Sequence, residues 1–404
     1  MPPVTRRAPL YALYGADAIS LSGNAVAQVA IPWFVLTTTG SAALTGLVVF
    51  FNFLPIVLAA FFGGVVVDRL GFRASSVVAD LASSAAVAAI PLLHATVGLP
   101  LWQLMALVFL GALLDAPGAT ARAALFPDVV ETARVPMERA SGIRAGIQQG
   151  STLVGAPLGG VLVAVFGATG ALWLDAASFL FSAALVVVFV PRPHAAGESE
   201  ERGRFFAELA EGMRFIWNHR LTRALVTMVL LSNLVEAPGS VVLTVFAEEK
   251  YDSAAALGLM LGVLGGTALA GALLYSAIGH RLPRRRTFLF CFAFVPVGYL
   301  ALAATPSLPV ALVALAVAGF AAGPINPLLF TVQTEIVPSH LRGRVFGAVR
   351  AGAWAAIPLG ILLGSAAVAV AGVAVTFLAM GVLLAAVVGY GYFNPAFREM
   401  DRRL

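Results

Sequence analysis

Asp115 and Glu236 each lie deep in a long apolar run, where a carboxylate is costly. Ionised in hydrocarbon, such a group loses several kcal/mol of hydration unless water or a cation reaches it. It is neutral when dry and charged when wetted, so it takes up and releases a proton as its surroundings change. In the charged form it also attracts a cation. The sole lysine, Lys250, follows Glu248-Glu249 and is not available to pair with either group. No arginine is predicted at their depth.

Both carboxylates have polar company. At about 100° per residue, Asn233, Glu236, Ser240 and Thr244 share one helix face, and so do Asp17, Ser20, Asn24 and Gln28. At an offset of 212 residues, Asn24 lies over Glu236 and Gln28 over Ser240. Paired polar stripes suit the walls of a watery cavity; hydrogen bonds between helices are the alternative use. Near Asp115 the chain reads Asp115-Ala116-Pro117-Gly118, and later Gly323-Pro324-Ile325-Asn326-Pro327. Proline lacks an N–H and frees a carbonyl. Matching interruptions in two halves point to a binding site, so helix breaks are predicted at Pro117, Pro324 and Pro327, with Asn326 facing the cavity.

The elements that position these residues follow from composition. Of 404 residues 60% are apolar and only 11% charged, against roughly 25% charged in soluble domains. Lipid must be the solvent. Twelve apolar segments are expected near 10–37, 43–67, 74–95, 100–124, 138–166, 170–190, 221–247, 254–278, 286–305, 308–332, 340–371 and 374–393, each able to cross about 30 Å of hydrocarbon. Ala25-Val26-Ala27 resembles a cleavage site, but the apolar run continues through Ile31-Pro32-Trp33-Phe34. It is read as a retained first helix.

With both termini inside, every basic residue of the 25 except Lys250 falls on the cytoplasmic side, as the positive-inside rule requires. The positive charge is then a topology signal, and nucleic acid is not a predicted partner. The expected organisation is a six-helix bundle over 1–190, a cytoplasmic linker over 191–220, and a second bundle over 221–404. The linker carries an amphipathic stretch from Phe205 to Trp217, predicted to lie on the membrane surface. The halves repeat: residues 41–73 lie over 253–285 without a gap, and Pro157 and Gly159 lie over Pro358 and Gly360. The fold class is thus an all-α polytopic membrane protein of 12 transmembrane helices in two pseudo-symmetric bundles.

The loop Gly64-Val65-Val66-Val67-Asp68-Arg69-Leu70-Gly71-Phe72-Arg73 resembles the signature of the major facilitator superfamily, Gly-x-x-x-Asp-Arg-x-Gly-x-Arg. Phe72 departs from it, standing where a basic residue is common. Asp175-Ala176-Ala177-Ser178-Phe179 is similar to a motif of the drug-export branch that includes macrolide and siderophore exporters. Gly150 and Gly155-Ala156-Pro157-Leu158-Gly159-Gly160 resemble the glycine-rich fifth span of antiporters, with Ala156 where glycine is usual. The resemblance implies a major facilitator fold with spans one, four, seven and ten around the cavity. A helix start carries partial positive charge and attracts a carboxylate, so Asp68 is expected to act as a gate by bonding Arg344 or the start of the eleventh span. The mid-span arginine of many drug antiporters is read as missing, since Arg122 falls near the cytoplasmic end. Asp17 is read there as solvated, and Asp80 and Asp175 as structurally paired or close to the membrane surface.

The expected function is proton-coupled export of an amphipathic drug or natural product by an inner-membrane monomer, with import or uniport of a nutrient as the alternative. A non-transporting receptor would not require polar stripes. Enzyme chemistry is not expected. There is no phosphate-binding Gly-x-x-x-x-Gly-Lys run, and the five histidines are too dispersed to ligate a metal. No cofactor is predicted.

Overall fold

The computed structural model describes residues 7–55, 71–191, 205–305, 307–338 and 341–401. The loop residues Gly64, Asp68 and Arg69 lie outside them. In hydrocarbon each backbone N–H and C=O must be satisfied within its own segment, so an apolar chain of this kind folds as helices. Helices α1 (Ala8–Thr39), α3 (Phe72–Thr96) and α4 (Leu101–Ala133) are single spans, and α2 covers Ala42–Pro55. Helix α5 (Met137–Phe189) holds two spans joined at Gly167, whose φ of 73° is open to glycine and strained for other residues. The linker helix α6 is Phe205–Asn218.

The seventh span is a broken pair, α7 (Arg220–Glu236) and α8 (Gly239–Tyr251). Helices α9 (Ala254–Ile278) and α10 (Arg284–Ala304) follow. The tenth span is again broken, into α11 (Leu308–Ala322) and α12 (Ile325–Ile336). Helix α13 (Arg342–Phe393) repeats the design of α5, two spans joined at Gly372 with φ 81°. The described residues are thus all-helical, with the spans in the order the sequence predicts.

The chain divides into two compact units. One contains 1–40, 48–198 and 253–258; the other contains 41–47, 199–252 and 259–404. In the first, α1 packs along α5, and α3 on α4 and α5. In the second, α13 packs on α7 and α10, and α6 docks on α13. The expected surface helix therefore has one face seated on protein. Ile216 is buried with Val337, Val345 and Ala348. Gly212 lets the two backbones touch: a methyl group there would lie 2.8 Å from the Arg344 carbonyl carbon.

The predicted interruption at Pro117 does not occur, since α4 runs unbroken from Leu101 to Ala133. Side-chain bonds at Asp115 and Arg122 hold α4 to its neighbours on both sides of the proline. Pro327 also breaks nothing. It lies in the first turn of α12, where its missing N–H would lack a helical partner anyway. The tenth span does break at Gly323-Pro324, as expected. The break at Ala237-Pro238 was not foreseen; the signal for it was Pro238 itself.

Both real breaks are packed in the same way. Pro238 removes the donor for the Leu234 carbonyl, and that oxygen is seated against Gly360 of α13. Pro324 removes the donor for the Phe320 carbonyl, which is seated against Gly271 of α9. Neither glycine has room for a side chain. The freed carbonyls thus sit against glycine Cα atoms, positioned for weak C–H···O contacts in place of the lost bonds.

Gly271→Val and Gly360→Val should therefore destabilise the protein by about 1–3 kcal/mol or more through overpacking against rigid backbone. Gly347 is exposed on α13 with no neighbour within 4 Å. Gly347→Ala should raise stability by about 0.5–1 kcal/mol. Thermal unfolding in detergent checks the contrast, and equal midpoints for all three variants would refute it.

Candidate functional site

The first unit carries a buried charge network. Arg122 on α4 is 2% exposed and donates from Nε to Asp17 Oδ1 at 3.0 Å and from Nη1 to Asp80 Oδ1 at 2.8 Å. Asp80 Oδ2 accepts from Ser182 at 2.7 Å. Arg144 on α5 donates to Asp17 Oδ2 at 2.8 Å and lies 4.9 Å from the Phe126 ring centroid. Two carboxylates and two guanidinium groups thus tie α1, α3, α4 and α5 together with no net charge.

This corrects two expectations. Arg122 is buried in the helix packing and is not at a wetted end, and Asp17 is paired and not solvated. Sequence spacing placed both near the cytoplasm because it counted residues from the loop. It could not see that three other helices cover that depth. Asp80 is paired, as read.

Asp115 stands seven residues before Arg122, two helical turns or about 10 Å along α4. Its Oδ2 accepts from Asn24 Nδ2 of α1 at 3.0 Å, while Oδ1 is buried and meets no partner among the described residues. Asn24 is held at this depth by tight α1–α5 packing. Gly155 of α5 leaves room only for Ala25, and a methyl group at Gly159 would be 3.0 Å from Val26 Cα. Pro157 lies between these two contacts in α5. On the other side of α1, Gly23 meets Asp175 and Ser178 with no room for a side chain. The Asp175-to-Phe179 stretch is thereby a packing surface for α1. Gln28, next on the stripe, is exposed, and Gly150 has nothing within 4 Å.

In the second unit Glu236 is the last residue of α7, at the break before Pro238. It is half-buried and has no ion pair among the described residues. The hydroxyl of Tyr299, from α10, reaches the same break: a methyl group at Gly239 would be 3.3 Å from it. Asn233, one turn before Glu236, donates to the Ala353 carbonyl of α13 at 3.2 Å. Asn326 is exposed on α12 and Pro324 is buried. Sequence reasoning did not name Tyr299.

Of the expected gating residues, Gly71 and Arg73 are described. Gly71 precedes α3 with φ 78°, and Arg73 donates to the carbonyls of Val186 and Val187. Arg344 is ion-paired with Glu211 of α6. No cluster of potential metal ligands occurs among the described residues.

Among the described residues nine helices are long and apolar enough to cross a bilayer, and with buried carboxylates on them they define a multi-pass membrane protein. The chain matches the Major Facilitator Superfamily over residues 13–252 and 225–402, and it belongs to that family. It is 32% identical to the multidrug efflux pump Tap of Mycolicibacterium fortuitum, over 98% of both chains. It is 33% identical to Tap of Mycobacterium tuberculosis, over 98% of this chain and 96% of that one. Macrolide efflux protein A of Streptococcus pyogenes is 24% identical over 93% of each chain. Among solved structures, a bacterial homologue of the human lysosomal transporter Spinster superposes with a TM-score of 0.73 at 16% identity, covering 100% of both chains. A variant of the nucleoside transporter NupG gives 0.79 at 12% identity, covering 97% of this chain and 100% of that one.

Removing the central cation of the network should be costly. Arg122→Leu leaves Asp17 and Asp80 buried without it and is expected to lose about 3–5 kcal/mol. Asp80→Asn keeps the Arg122–Asp17 pair and should lose less. Heating followed by fluorescence-detected size exclusion ranks the variants. An Arg122→Leu protein as stable as the parent would show that the network is not structural.

Proposed function

We propose that the protein exports amphipathic, cationic drugs or natural products in exchange for protons, alternating access between the two sides of the membrane. The observation that carries this reading is a carboxylate at depth in each unit, Asp115 and Glu236, with no ion pair among the described residues. Each binds a proton when enclosed in apolar surroundings and releases it when wetted. A cationic substrate and a proton then compete for the same negative charge, which is the requirement for antiport. The names of the relatives, multidrug and macrolide efflux pumps, support export over import. The arginine distribution supports an inner-membrane orientation with both termini cytoplasmic, and the protein is proposed to act as a monomer.

The gate expected at Asp68 stays part of the proposal. Its predicted partner Arg344 is ion-paired with Glu211 of α6.

In proteoliposomes, acid outside should drive a lipophilic cation outward, and reversing the gradient should reverse the flux. Glu236→Gln should abolish proton-driven flux while retaining substrate exchange at equal pH. Asp115→Asn should weaken it, since Asn24 can still bond the amide. Wild-type rates and pH dependence in both variants would mean that neither carboxylate couples, and would leave a uniporter. Orientation is checked separately. In a Cys291→Ser background, Glu200→Cys should label from the cytoplasmic side and Lys250→Cys from the other.

A further inference from the structure

The linker helix α6 has two apolar faces, and the protein covers only one. Gly212, Phe215 and Ile216 turn toward α13, where Ile216 is buried. Met213 and Trp217 stand one turn apart on another side and are 48% and 68% exposed. A tryptophan this exposed stands three residues ahead of the span that begins at Arg220, where the chain would enter a bilayer. Amphipathic indole rings concentrate at that depth.

Within six residues of Trp217 along the chain the charged side chains are Arg214, Arg220, Arg223 and the acid Glu211. Arg214, Arg220 and Arg223 are exposed. Arg223 donates to the Trp217 carbonyl at 2.7 Å, which places its guanidinium beside the ring's own residue. The nearby acid Glu211 is committed to Arg344. Neutral lipid headgroups offer no net charge to balance three arginines; phosphatidylglycerol and similar anionic headgroups do.

We propose that the outer face of α6 docks on anionic phospholipid, with Met213 and Trp217 in the bilayer interface and Arg214, Arg220 and Arg223 on lipid phosphates. The inner face ties this surface to the start of α13 through the Gly212–Arg344 backbone contact and the Glu211–Arg344 pair. Lipid charge is thereby coupled to the position of the eleventh span. The inference is independent of what the protein transports.

The test reads Trp217 directly, as the difference in fluorescence between the parent and Trp217→Phe in the full-length protein. Vesicles contain phosphatidylcholine or phosphatidylglycerol brominated near the headgroup end of the chains. The Trp217 signal should be quenched by both, and more strongly by the brominated phosphatidylglycerol. Arg214→Gln and Arg220→Gln should each reduce that preference by about fivefold, with the transport-independent folding of each variant verified by size exclusion. Quenching of Trp217 by aqueous iodide and not by brominated lipid would place the face in water and overturn the proposal. Equal quenching by the two lipids in the parent would also overturn it, since the face would then be only apolar.

Discussion

A guanidinium cannot shed its proton in a protein, so a buried arginine dictates what surrounds it. Arg122 is enclosed among the helices of the first unit, and Asp17 and Asp80 must meet it there from α1 and α3. Arg144 then compensates the second oxygen of Asp17. Those contacts set the depth at which α1 and α4 cross. Asn24, two turns along α1 from Asp17, is thereby brought to Asp115, two turns along α4 from Arg122. The same network uses two acids and two bases, which leaves Asp115 outside the charge balance. Its position follows from the helix packing that the network fixes.

Periodicity, charge placement and the repeat made the fold legible before any coordinates, because a bilayer permits few alternatives to a helix. The turns at Gly167 and Gly372 fall where the apolar segments were expected to divide. The errors cluster where packing overrides local signals. Pro117 sits in sequence as Pro324 does, with glycine adjacent, yet only the second interrupts its helix. The difference is made by partners far along the chain, Asn24 and Asp80, which fasten α4 on both sides of Pro117. Arg122 was misplaced for the same reason. Distance from a loop measures depth along one helix and says nothing of the helices beside it. Glu236 was legible as a lone acid in an apolar run, but the break beside it and the approach of Tyr299 were not.

The two units share a repeat but distribute polarity differently. In the first, the helices that carry the polar stripe and Asp115, α1 and α4, are continuous although each contains proline. Ion pairs and an Asn–Asp bond hold them together. In the second, the equivalent spans are the two that break, at Pro238 and Pro324, and the described residues there include no comparable network. Their freed carbonyls rest on glycines, through contacts weaker than the ion pairs that replace them in the first unit. A helix held by such contacts bends at lower cost than one held by buried ion pairs. Glu236 lies at one of these bends. Asp115 has its side chain tied to Asn24. The asymmetry thus leaves Glu236 beside a break packed on glycine and Asp115 on a helix fastened by side-chain bonds.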